Sequence, residues 1–158
     1  MILNNTTAVE IYSPVTGSLK PIEECPDEIF AQKMVGDGLM ISPDDGDVLS
    51  PVSGHLVQVA SGGHAVGIET SEGLEVLVHV GIDTVKLEGE GFNTLVKKGD
   101  NVKKGDVLLE VDWNFLEENA PSTLTPVLIT NQDLLQEIKF SEGEVTAGKD
   151  IIMEAVLS

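Results

Sequence analysis

The 158-residue sequence contains no arginine, and its nine basic residues are all lysine. Against 27 acidic residues this gives a formal net charge of −18, which is the opposite of what the phosphate backbone of a nucleic acid attracts. The lack of arginine also excludes a bidentate guanidinium clamp on phosphate. We therefore expect no nucleic-acid partner, and we expect any phosphate chemistry to rely on other side chains.

Cysteine, aromatic residues and long apolar runs are also scarce. The single cysteine, Cys25, has no partner for an internal disulfide, which fits a reducing compartment. No apolar run approaches the length of a membrane span, and the first ten residues lack the pattern of a signal peptide. The sequence therefore predicts a soluble, cytoplasmic protein.

What the chain does contain is valine-rich runs separated by glycine turns, with 16 glycines in all. The segment 13–19 (SPVTGSL) recurs as 50–56 (SPVSGHL), and 99–105 is echoed loosely by 143–148. Turn-and-strand units repeated at this scale predict one all-β domain over residues 1–158. We expect an antiparallel β-sandwich or flattened barrel with an internally duplicated topology and a few short helices.

Three short helices are predicted, two of them from a capping residue. Residues 26–34 form a helical turn or two, Asp112 caps a helix that ends at Asn119, and Asn131 caps another that ends at Ile138.

Two of the three histidines, His64 and His79, lie on strand-like runs that flank the polar turn 70–73. Facing residues in an antiparallel hairpin have numbers with a constant sum. A loop centred between Ser71 and Glu72 gives 143, which is also 64 + 79. This register predicts that the two imidazoles project from one face of adjacent strands and contact the same small group.

The residues alone leave three kinds of function open. Two facing imidazoles supply two of the ligands that zinc requires, and Asp37 or Asp83 would add a third, so a zinc site or a zinc peptidase is one reading. The pattern over 99–106 is also found in lipoyl or biotinyl carriers, but the tip at 70–73 has no lysine to modify. The third reading is group transfer through a histidine nucleophile.

Longer motifs then point to a family. The run LVHVGIDTV over 77–85, followed by GEGF over 89–92, resembles the active-site signature of the glucose-type enzyme IIA proteins of the bacterial phosphotransferase sugar-uptake system. Further similar segments are VGDG at 35–38, HA at 64–65 and APSTLTP at 120–126. The resemblance extends from about Ile11 to the C-terminus.

The resemblance implies that His79 accepts a phosphoryl group from the phosphocarrier protein HPr and passes it to the IIB domain of a membrane sugar permease. His64 would stabilise that group, and a backbone carbonyl around Gly81 would hold the near nitrogen of His79 so that the distal one attacks. No cofactor is required for this transfer. In some relatives the unphosphorylated protein also binds transporters and metabolic enzymes, sometimes through zinc, which implies regulatory targets.

The resemblance also assigns residues around the histidine pair. Asp37 and Asp83 would form the rim of the site. Apolar residues near it would form a docking surface for HPr: Val35, Val66 and Val80. The chain departs from the family at Gly62, where the best-known members have a threonine that orients the second histidine.

Overall fold

The computed structural model describes residues 7–157, in which β-strands predominate. The strands are β1 (Thr7–Tyr12), β2 (Gly17–Pro21), β3 (Asp37–Pro43), β4 (Val48–Leu49), β5 (Gly54–Val59), β6 (Ala65–Glu69), β7 (Glu75–His79), β8 (Phe92–Thr94), β9 (Asn101–Val102), β10 (Val107–Val111), β11 (Thr125–Ile129), β12 (Leu135–Phe140), β13 (Glu144–Val145) and β14 (Ile151–Leu157). Two α-helices, α1 (Glu28–Ala31) and α2 (Trp113–Asn119), accompany three short 3-10 segments.

The strands form three antiparallel sheets. One has eight strands in the order β13-β2-β3-β11-β7-β6-β5-β9, and the other two have three each, β1-β14-β12 and β4-β10-β8. None of these sheets closes on itself in the described part of the chain, so the structure confirms the predicted β-sandwich and not the flattened barrel.

The predicted duplication is present in the strand order. From its two edges inward, the large sheet has the strand orders β13-β2-β3-β11 and β9-β5-β6-β7, which correspond to each other strand by strand. The small sheet β1-β14-β12 corresponds in the same way to β4-β10-β8. Gly17 and Gly54 occupy equivalent places, because a Cβ added to them would lie 2.0 Å from the carbonyl oxygen of Ser42 and 2.1 Å from that of Glu69. Only glycine allows the strands to approach so closely.

The core has two parts because the large sheet is covered on both faces. The main cluster lies between the large and small sheets, and it includes Val66, Val78, Val127 and Ile129. A second cluster covers the outer face near α1: Ile22, Cys25, Phe30, Met40, Ile82 and Leu128. Residues of the central strands are therefore buried whichever way they point, and β11 is buried throughout.

Two of the three predicted helices form, and each begins at an aspartate cap. The carboxylate of Asp27 accepts the N–H of Ile29 at the start of α1, and that of Asp112 accepts the N–H of Phe115 at the start of α2. The helix predicted from Asn131 to Ile138 is wrong. Only a 3-10 segment, Gln132–Leu134, forms there before β12 begins, because strand pairing with β14 outweighs local helix propensity. No helix among residues 7–157 is long and apolar enough to cross a membrane.

Candidate functional site

The two histidines meet at the open end of the β6–β7 hairpin, but not in the predicted register. Ala65 faces His79, and His64 lies just before β6, where its carbonyl accepts the N–H of Val80 at 2.7 Å. Facing residues therefore sum to 144 (65 + 79), one more than predicted. Gly73, at φ +92°, adds a left-handed residue to the turn and shifts the loop centre to Glu72.

Despite this shift the imidazoles are in contact, with ring centroids 5.3 Å apart and planes at 73°. His79 is the last residue of β7, and His64 follows Gly63, whose φ of +83° turns the chain before β6 begins. The contact thus arises from a bend at the strand end and not from cross-strand pairing. The expected proximity is correct, and the geometric reason given for it is wrong.

The tautomer of His79 is set by the turn that follows β7. Its Nδ1 lies 2.8 Å from the carbonyl oxygen of Gly81, and a carbonyl only accepts, so Nδ1 carries the proton and Nε2 carries the lone pair. Gly81 has φ +78°, and a Cβ there would lie 2.5 Å from Cγ2 of Thr84. Glycine at this position therefore lets the carbonyl reach the ring.

Aromatic rings fix the orientation of the pair from both sides. Phe30 packs edge-on against His79 with centroids 5.1 Å apart, and Phe92 lies 6.5 Å from His64. At Gly62, an added Cβ would lie 3.5 Å from Nδ1 of His64 and 3.2 Å from the amide nitrogen of Gly89. A side chain at position 62 would therefore lie against both the ring of His64 and the backbone of Gly89.

Burial favours the neutral form of both imidazoles. Burial lowers the pKa of His64, and the charge that His79 would carry lowers it further. Burial also lowers the pKa of His79, although the Gly81 carbonyl and the carboxylates of Asp27 and Asp83 act in the opposite direction. Desolvation outweighs these attractions, so Nε2 of His79 is an unprotonated nucleophile near neutral pH.

One of the two aspartates predicted for the rim is elsewhere. Asp83 belongs to the turn after His79 and acts on its charge, but Asp37 faces Ile129, which faces Val76. Three residues along β7 and two strands across separate it from His79, a distance of about 14 Å. The carboxylate of Asp27 acts on the charge of His79 and raises its pKa. Asp27 caps helix α1, whose Phe30 packs against the His79 ring, and this cap in the segment PDEIF is the sequence feature that could have indicated it.

The predicted docking surface also needs correction. Val66 and Val80 are both 0% exposed and belong to the main core, because their side chains face the small sheets. Val35 is half-buried against the second cluster. Three of the exposed apolar side chains lie on the segments that carry Phe30 and Asp83: Ile29 is 52% exposed, Met34 70% and Val85 60%.

A zinc site is not complete within this part of the protein. Among residues 7–157, no three histidine, cysteine, aspartate or glutamate side chains are grouped to hold a metal. A zinc ion bound by His64 and His79 would need further ligands from another molecule.

Comparisons with known proteins agree with the motifs. The model of the family described as phosphoenolpyruvate-dependent sugar phosphotransferase system, EIIA 1, matches residues 9–135. A protein of Bacillus cereus named PTS system glucose-specific EIIA component is 44% identical over 155 residues, covering 98% of this chain and 94% of that protein. A protein of the same name from Halalkalibacterium halodurans is 52% identical over 140 residues, covering 88% and 81%.

The fold agrees as well. The structure of glucose permease IIA from Mycoplasma capricolum superposes with a TM-score of 0.88 at 34% identity, over 99% of this chain and 100% of that one.

Proposed function

Because this chain belongs to the EIIA 1 family of the phosphoenolpyruvate-dependent sugar phosphotransferase system, we propose that it is a phosphoryl carrier. It accepts a phosphoryl group from phospho-HPr on Nε2 of His79 and passes it to the IIB domain of a sugar permease during uptake, on the cytoplasmic side. The observation that carries the proposal is the hydrogen bond from Nδ1 of His79 to Gly81, which leaves Nε2 free to attack.

In the first transfer the Nε2 lone pair attacks phosphorus, the bond from phosphorus to the HPr nitrogen breaks, and its electron pair returns to HPr. In the second transfer a IIB thiolate attacks the same phosphorus, and the electron pair of the P–N bond returns to His79. Both steps exchange an already activated group, so positioning and charge stabilisation supply the catalysis. No cofactor is needed.

His64 stabilises the phosphoryl group where the chain has no arginine. Its ring contacts that of His79, so its N–H is close enough to donate to a phosphoryl oxygen. Asp27 and Asp83, whose charges reach His79, repel the phosphoryl oxygens instead. This opposition weakens the P–N bond and keeps the group ready for transfer.

The partners dock on the exposed apolar side chains beside the site. Ile29 lies on helix α1 and Met34 shortly after it, and Val85 lies on the 3-10 segment that follows Asp83. Such side chains form the apolar centre of an interface, and the net charge of −18 steers a basic partner toward it. Since the named relatives are glucose-specific, we take a glucose-type IIB domain as the acceptor.

The test is intact mass after incubation with phosphoenolpyruvate, enzyme I and HPr. We expect a gain of about 80 Da that mild acid removes, as for a phosphoryl group on a histidine nucleophile. His79→Ala abolishes the gain, whereas His64→Gln still gains mass but fails to transfer to the IIB domain. A folded wild-type protein that gains no mass would refute the carrier function, and equal loss of both steps in the two variants would refute the division of roles.

A further inference from the structure

A cleft lies apart from the histidine pair, at one edge of the β-sandwich. It has a volume of about 430 Å³ and opens between the end of β2, the start of β3 and the end of β12. Its apolar wall includes Leu19, Leu39 and Phe140, and charged groups, among them Asp37 and Lys33, stand at its rim. An apolar cleft with a few polar groups is the usual form of a small-molecule site.

The duplication of the fold relates this cleft to the phosphoryl site. Ser42 in β3 and Glu69 in β6 are equivalent, since each lies against the matching glycine of the neighbouring strand. Five residues back along the two strands stand Asp37 and His64, and neither β3 nor β6 has a bulge against its inner neighbour that would change this count. Asp37 therefore occupies in one half the place that His64 occupies in the other.

The wall of the cleft is duplicated too. Phe140 ends β12 as Thr94 ends β8, and the residues that follow them make the same backbone hydrogen bond. Ser141 donates to Ile152 at 2.9 Å, and Leu95 donates to Leu108 at 2.9 Å. The cleft thus lies at the place in one half of the fold that corresponds to the surroundings of His64 in the other, with a carboxylate where the other half has an imidazole.

The carboxylate at this position lacks a hydrogen-bond donor. Oδ1 of Asp37 is buried, and within residues 7–157 no donor hydrogen-bonds to it. Nζ of Lys33 is 3.6 Å away, and it is shared with Glu23 at 3.5 Å. A buried carboxylate oxygen without a donor is costly, and a bound ammonium group would satisfy it while the half-exposed lysine turns toward Glu23.

We propose that this cleft is a binding site for a small organic cation, an ammonium group carried on an apolar body. The ammonium donates to Oδ1 of Asp37, and the apolar body lies against Leu39 and Phe140. The replacement of the imidazole by a carboxylate thus inverts the ligand charge between the two halves: the histidine site takes an anionic phosphoryl group, and its duplicate takes a cation.

Titration of the ¹⁵N-labelled protein with phenethylamine, followed by amide chemical shifts, tests this proposal. We expect saturable shifts below about 10 mM, the range of a fragment-sized ligand, confined to amides of β2, the start of β3 and the end of β12. The neutral analogue phenethyl alcohol should bind at least tenfold more weakly, because it lacks the charge-assisted hydrogen bond. Equal binding of both compounds would overturn the proposal.

Two substitutions at the rim should act in opposite directions. Asp37→Asn preserves shape and weakens phenethylamine binding at least tenfold, whereas Lys33→Gln removes the competing ammonium and strengthens it about threefold or more. His79→Gln is the control for binding at the histidine pair, and it should leave the affinity for phenethylamine unchanged. Weakening by both rim variants, loss of binding in the His79 variant, or shifts centred on β6 and β7 would each contradict the assignment.

Discussion

Gly81→Ala should separate the role of Gly81 at the site from its role as a turn residue. Gly81 has φ +78°, and an added Cβ would meet Cγ2 of Thr84 at 2.5 Å and the carbonyl oxygen of Ser122 at 3.1 Å. Thr84 has little freedom to move, since it is buried and its hydroxyl donates to the carbonyl of Val80 at 2.6 Å. The backbone of Gly81 must therefore shift, and with it the carbonyl that holds His79.

The expected cost has two contributions. Left-handed backbone costs alanine about 1–2 kcal/mol, and insertion of a methyl group into a packed site adds about 1–3 kcal/mol. Gly73→Ala is the matched control, because Gly73 has φ +92° but nothing within 4 Å of an added Cβ. We therefore expect Gly81→Ala to lower the free energy of unfolding by about 2–5 kcal/mol and Gly73→Ala by about 1–2 kcal/mol.

Thermal unfolding measures the loss of stability, since each kcal/mol lost from the free energy of unfolding lowers Tm by about 2–4 °C in a protein of this size. The rate of phosphoryl acceptance from HPr reports on the position of His79. It should fall at least tenfold in Gly81→Ala but not in Gly73→Ala, because a small misplacement of the nucleophile slows the transfer by this much. ¹⁵N shifts of the imidazole should show a mixture of tautomers. Equal Tm values for the two variants, or a normal rate and tautomer in Gly81→Ala, would refute the reasoning.

Three further outcomes are expected. Burial lowers the pKa values of His64 and His79. Their contribution to stability is therefore complete above the unfolded pKa of about 6.5, and it is lost as the pH falls from there through the folded pKa values. A Tm that rises on acidification over this pH range would contradict the burial. Asp27→Asn keeps the helix cap but removes a charge, so ¹H NMR titration should give a lower pKa for His79 with an unchanged Tm, and a higher pKa would show that the carboxylate does not act on the ring. Ile29→Ser should raise the KM for HPr several-fold without changing kcat, whereas Val107→Ser, another exposed apolar position, should leave both unchanged; equal effects would remove the docking surface from α1.

Much of the fold was predictable because it depends on local signals. The repeated segment at 13–19 and 50–56 forms the same turn twice: Ser13 and Ser50 each donate to the carbonyl two residues on, at 2.6 and 2.7 Å. The helix that Asp112 caps also ends at Asn119, as its capping residue predicts. The segment after Asn131 shows the limit of such signals, since its strand exists only by pairing with β14.

At the site, the motif resemblance predicted the contact between His79 and the carbonyl of Gly81, and this contact forms between residues only two apart in the chain. Tertiary structure decided the rest. Asp37 lies away from His79 because strand β11 stands between its strand and that of His79. Asp27 acts on the charge of His79 instead, because Phe30 of the same helix packs against the His79 ring. Val66 and Val80 are core because layers on both faces of the sheet bury its central strands, and this burial depends on packing between segments that are distant in sequence.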